Sequence, residues 1–171
     1  MAESLSDRLK RLAAERTLGQ QAEKDVRELQ RRADAFISDN ARPEFEKLHS
    51  IIKSLIDDVN PTLTDFPKFQ LYPNGMIQQG NYVAFIRFDK PSLNESANRL
   101  VITFGPHPNA MYFDEPPEPR RFDLHAGCND AINEILWQGD FGELRTRQLA
   151  DVILEGLTQY WIDHTPHSAQ F

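Results

Sequence analysis

The 171-residue chain is 40% hydrophobic, 10% aromatic and 26% charged, and its 26 acidic and 19 basic side chains leave a formal net charge of -7. A chain of this length buries roughly 70% of its unfolded surface as one domain, and eleven Phe, four Tyr and two Trp exclude disorder of the whole chain. A single cysteine, Cys128, excludes an intramolecular disulfide and a multi-cysteine zinc site.

The opening stretch MAESLSDRLKRLAAERTLG mixes acidic and basic residues and has no apolar run suited to a secretory signal. No apolar stretch approaches the ~20 residues that span a bilayer. These features predict a cytoplasmic protein that does not cross a membrane. Residues 1–60 carry 11 basic and 12 acidic groups, and residues 61–171 carry 8 and 14. An acidic second half repels a phosphate backbone, so nucleic acid is not an expected partner. The cluster Arg8, Lys10, Arg11 and Arg16 reads as a solvated helix face.

In chain order, Ser6 or Asp7 can cap a short helix carrying Leu9, Leu12 and Ala13, which Thr17-Leu18-Gly19 would end. Ala22, Val26, Leu29, Ala33 and Phe36 follow at steps of 4, 3, 4 and 3, the spacing of a heptad seam. Phe45, Leu48, Ile52, Leu55 and Val59 form a second seam out of phase with the first. The phase change falls at Asn40-Ala41-Arg42-Pro43. Proline suits the first turn of a helix, so two helices joined at a short turn are expected in preference to one long helix kinked at Pro43.

Beyond Asn60-Pro61 the period changes from helical to alternating. Predicted strands are Lys68 to Tyr72, Met76 to Gln79 across the Asn74-Gly75 turn, Tyr82 to Phe88, Arg99 to Phe104, Ala110 to Phe113, Arg120 to His125 and Ala131 to Gln138. Their short connections predict an antiparallel meander of six or seven strands. Leu149, Val152, Ile153, Leu157, Tyr160 and Trp161 then mark an amphipathic C-terminal helix, with Thr146 as its cap, to cover the sheet. Some positions of both alternating sets in Tyr82 to Phe88 are apolar, as in a strand at an interface or one sandwiched between two layers; the expected layers are the N-terminal helices on one side and the C-terminal helix on the other. The fold class is therefore α+β, with a helical region over 1–60 and a sheet with its closing helix over 61–171, expected to form one compact unit.

The eight glycines form no phosphate-binding pattern and no nucleophile elbow surrounds any serine. Cys128 lies three residues from His125, a spacing that allows a thiol-imidazole pair, although single cysteines are more often structural. Asp163, His164 and His167 offer ligand types in a tail too loosely held for a metal site. The carboxylates Asp114, Glu115, Glu118, Asp123 and Glu134 show no catalytic spacing. No metal or cofactor is expected.

Two functions fit. In the first, a non-enzymatic interaction module self-associates through its N-terminal helices or binds a protein partner; Glu23, Lys24, Arg27, Glu28, Arg31 and Arg32 flank the seam as coiled-coil edges do. In the second, an enzyme or small-ligand binder holds a pocket between sheet and helix, lined by His107, Tyr112, His125 and Trp137. The proline-rich loop from Gly105 to Pro119 is expected to be rigid and to expose either Tyr112 or Phe113 as a recognition edge.

Overall fold

A computed structural model describes residues 5–72, 82–89, 99–105 and 120–165. Helix α1 (Leu5–Val59) runs unbroken for 55 residues, about 80 Å at 1.5 Å per residue. It passes through Thr17-Leu18-Gly19 and through Pro43, so the short first helix and the pair of helices expected from the sequence are one element. The physical reason lies in Ile37 and Ala41. With Ala33 and Phe45 they form an uninterrupted series of four-residue steps, and this carries the stripe from one seam to the other around the helix. Ala41 and Phe45, on either side of Pro43, are both buried. That packing holds the helix together where proline removes one backbone bond. One turn earlier, the Asn40 side chain donates to the Phe36 carbonyl at 2.8 Å.

After a 3-10 turn at Asn60–Thr62, six strands are described: β1 (Phe69–Leu71), β2 (Tyr82–Phe88), β3 (Arg99–Phe104), β4 (Arg120–Cys128), β5 (Ile135–Gly139) and β6 (Gly142–Leu144). They lie side by side in chain order. The sheet is mixed, because β4 runs parallel to β3 while the other neighbours are antiparallel. This corrects the expected meander. A parallel neighbour requires the connection to return along the strand, and residues 105–119 are numerous enough to span that return. Two sequence-based strands, Met76 to Gln79 and Ala110 to Phe113, lie outside the described residues, as does the Asn74-Gly75 turn. The strand expected from Ala131 starts at Ile135 instead, since Asn129 folds the preceding residues into a loop.

Helix α2 (Thr146–His164) closes the described chain. Arg145 holds the cap position instead of Thr146, and the Gln148 side chain accepts from the Arg145 amide at 3.2 Å. Leu149, Ala150, Ile153, Leu157 and Trp161 face the core. They meet Phe45, Leu48, Ile52 and Ile56 of α1 over Ala84, Ile86, Phe88, Leu100, Ile102, Leu124, Ile135 and Trp137 of the sheet.

Both helices therefore lie on one face, which corrects the expectation of a helical layer on each side. Side chains two apart along a strand share a face, and the ladder puts the strand residues of this core on one face: Ala84 faces Ile102, Ile102 faces Phe122, and Ala126 faces Trp137. On the opposite face Val83, Val101 and Thr103 are also buried.

Two polar contacts tie α1 to the strands. The Asn60 side-chain amide donates to the Phe69 carbonyl and accepts from the Phe69 amide, each at 2.9 Å. The His49 ring Nε2 lies 3.0 Å from the Tyr72 carbonyl.

Candidate functional site

Residues 5–32 of α1 are exposed throughout. This stem carries Leu5, Leu9, Leu12, Leu18, Val26 and Leu29, each between 56% and 71% exposed. Isolated large apolar groups are ordinary on a surface, whereas a contiguous stripe of them marks an interaction face. The stem is laced by local pairs: Arg11 with Glu15 at 3.8 Å, Arg27 with Glu23 at 3.7 Å, Arg31 with Glu28 at 3.3 Å, and hydrogen bonds from Gln21 to Asp25 and from Gln30 to Asp34. Each contributes only about 0.2–0.5 kcal/mol. Helices in water gain most of their stability by packing an apolar face, so these pairs alone support a helix of this length weakly.

At its base the stem meets the loop between β4 and β5. A groove of about 380 Å³ is lined by Val26, Leu29 and Ala33 on the helix and by Cys128 and Ile132 opposite, with Asp25, Gln30, Asn129 and Asp130 at its sides. The Asn129 side chain organises this loop. It accepts from the Asn133 and Glu134 amides at 3.0 and 3.2 Å and donates to the Asn133 side chain at 2.7 Å. Ile132 sits there at φ 53°, a left-handed conformation that costs a β-branched residue roughly 1–2 kcal/mol.

A second cavity, about 820 Å³, lies beside β4 and β5. Arg121, Asp123, His125, Gln138 and Asp140 supply its polar groups, and Phe122, Phe141, Val152 and Gly156 its apolar ones. Asp123 accepts from the Thr103 hydroxyl at 2.5 Å and from Arg121 Nη2 at 3.2 Å.

Of the four residues proposed from the sequence as a pocket, His125 is exposed and lines this cavity. Trp137 is fully buried in the core, in edge contact with the rings of Phe45 and Phe104. In the β4–β5 register His125 pairs with Gln138 and Ala126 with Trp137, so His125 and Trp137 point to opposite faces and the fold does not bring them together. The helix-facing side of the sheet is occupied by core side chains. His107 and Tyr112 lie outside the described residues, as does Phe113.

Cys128 and His125 also stand on opposite faces of β4, an odd number of residues apart, and form no thiol-imidazole pair. His164 stacks on Tyr160 and its Nδ1 lies 2.8 Å from the Tyr160 carbonyl. Glu134 pairs with Arg145 at 3.3 Å. Among the described residues no cluster of His, Cys, Asp or Glu could hold a metal ion, and no helix is long and apolar enough to cross a membrane.

Sequence reasoning found the seam but not the loop beside it. Ile132 was the available signal: an isolated β-branched residue within Asn129-Asp130-Ala131-Ile132-Asn133, among residues that favour turns. In comparisons with known proteins, no family model, no curated protein and no solved structure matches the chain.

Proposed function

We propose that this chain is a non-enzymatic interaction module that self-associates through its stem. The observation that carries the reading is the exposed stripe on residues 5–32 of α1, where Leu5, Leu9 and Leu12, and then Val26 and Leu29, stand at heptad spacing and are each more than half exposed. Heptad spacing fits another helix, because knobs from one seam fill holes in the other.

The size of the stripe supports a second copy as that helix. At roughly 100 Å² of apolar side chain each, the five residues at heptad positions, Leu5, Leu9, Leu12, Val26 and Leu29, offer about 500 Å² per chain, and two copies reach about 1,000 Å², the lower limit for a specific interface. Charge supports it too. Residues 5–40 carry eight basic and seven acidic side chains, so two stems meet without net repulsion, while a strongly charged partner finds no complementary field.

The test is analytical ultracentrifugation of the full chain and of Leu12→Asp/Val26→Asp. The parent sediments as an oligomer at micromolar concentration, and the double variant as a monomer with the melting transition of the sheet unchanged. A monomeric parent at 100 μM overturns the reading.

A further inference from the structure

We infer that the stems pair antiparallel and cross at Gly19, with the first turns of each stem lying in the groove at the base of the other. This rests on the self-association proposed above and names its geometry.

The seam face of the stem reads the same from either end. Leu5, Leu9, Leu12, Arg16 and Gly19 stand at steps of 4, 3, 4 and 3, and Gly19, Ala22, Val26, Leu29 and Ala33 at steps of 3, 4, 3 and 4. Two stems laid antiparallel with Gly19 at the centre therefore match layer for layer: Leu5 meets Ala33, Leu9 meets Leu29, Leu12 meets Val26, and Arg16 meets Ala22. The ends match as well. Every residue from Leu5 to Arg32 is exposed and Ala33 is the first half-buried one, so the overlap uses the whole exposed length and stops where the chain's own core begins. Glycine weakens the interior of an exposed helix, and a Cβ on Gly19 would meet nothing within 4 Å beyond its own stretch of helix. At a crossing point the missing side chain lets two backbones approach closely.

A parallel pair in register sets each residue level with its own copy, and two features decide against it. One is Arg16, which a parallel pair sets against a second Arg16 in the middle of the seam, two like charges in one partly desolvated layer. The antiparallel pair sets it against Ala22, where the aliphatic part of the arginine covers the small alanine and the guanidinium reaches water beside Glu23 of the other copy. Along the rim of the antiparallel pair Arg8 faces Arg32 and Glu15 faces Asp25. Such exposed contacts are screened by solvent and weigh little against a charge held in the seam.

The other feature is the groove. Asn129 holds the β4–β5 loop beside the seam at the level of Val26, Leu29 and Ala33, where Cys128 and Ile132 form the facing apolar wall. A parallel partner brings a second such loop to the same level, so two loops compete for the space along one stretch of seam. An antiparallel partner brings Leu5, Leu9 and Leu12 there on a stretch of helix exposed throughout, and these side chains fill the groove of about 380 Å³. Residues 5–33 span about 40 Å. The two sheets then stand at opposite ends of that span, each groove closed by the first turns of the other copy.

Disulfide trapping tests the geometry. Replacing the only cysteine by Cys128→Ser leaves no other thiol, and Leu9→Cys and Leu29→Cys are then introduced in separate chains. Both positions are exposed in the single chain, so neither change perturbs the sheet. Under mild oxidation an equimolar mixture is expected to form the covalent heterodimer and neither variant alone a covalent dimer, because Leu9 meets Leu29 only in an antiparallel pair centred on Gly19. Self-crosslinking of either variant to the yield of the mixture overturns the inference with self-association intact, since it sets like positions together as parallel stems do. A dimer under reducing conditions that crosslinks in no combination has another register and overturns it too. Sedimentation as a monomer under reducing conditions overturns self-association and the geometry with it.

Discussion

The Thr146 hydroxyl donates to Glu44 Oε1 at 2.5 Å, joining the start of α2 to the middle of α1 across 102 positions of chain. The same hydroxyl accepts from Trp137 Nε1 at 3.0 Å, and Lys47 completes the chain with an ion pair to Glu44 at 3.2 Å. The fully buried indole thus has its one donor satisfied, and three elements are fixed to each other at a single atom.

Thr146→Val keeps the shape of the side chain and removes both hydrogen bonds. It leaves a buried indole N–H without a partner, which costs about 1–3 kcal/mol. Urea denaturation should show the midpoint falling accordingly with an unchanged slope, and Thr146→Ser, which keeps the hydroxyl, should recover most of the loss. A loss from Thr146→Ser with none from Thr146→Val would show that the methyl packing matters and the hydroxyl does not.

Asn60→Ala removes the donor and the acceptor that hold Phe69, at an expected cost of about 1–2 kcal/mol. Asn60→Asp is the sharper probe: it retains an acceptor for the Phe69 amide but sets a carboxylate oxygen against the Phe69 carbonyl, and should cost at least as much. Thermal unfolding of the two variants checks this, and a melting temperature unchanged in both would mean that water replaces the amide without loss.

Ile132→Gly should leave stability within about 1 kcal/mol of the parent, where truncating a large aliphatic core residue costs about 2–5 kcal/mol. Glycine adopts φ 53° freely, so relief of backbone strain offsets the lost contact of a half-buried side chain. Chemical denaturation reads the difference, and a loss above 2 kcal/mol would show that the side chain outweighs the strain.

The local elements of this fold were legible because their signals are local. The alternation in Tyr82 to Phe88 and Arg99 to Phe104 and the stripe from Leu149 to Trp161 correspond to β2, β3 and α2. Pro43 misled for an understandable reason: its cost is written in the chain, while the burial of Ala41 and Phe45 that offsets it comes from contacts with the rest of the fold. The parallel pairing of β3 with β4 left no signal either, since strand direction depends on where a connection travels and not on composition.

The same distinction separates His125 from Trp137. Both are aromatic strand residues in the sequence, and only the register, which pairs His125 with Gln138, shows that one faces the cavity and the other the core. The apolar spacing from Ala22 to Phe36, by contrast, was visible in the sequence, whereas residues 5–19 read as a separate short helix. The sequence did not show that Val26 and Leu29 stay more than half exposed beside the β4–β5 loop.

The clasp of Asn60 on Phe69 also bears on how copies of this chain can meet. An outer strand ordinarily offers its unpaired amides and carbonyls as a template for a foreign strand, the route to edge-to-edge aggregation. At β1 both outward groups of Phe69 are already taken by a side chain from the end of α1, and the last strand in the order, β6, is only three residues long. Each of these boundaries gives an incoming strand little backbone to zip onto. Growth by strand addition is discouraged at both, and among the described residues the exposed apolar stripe lies on a helix, whose backbone groups are already paired within it and offer a fibre no template.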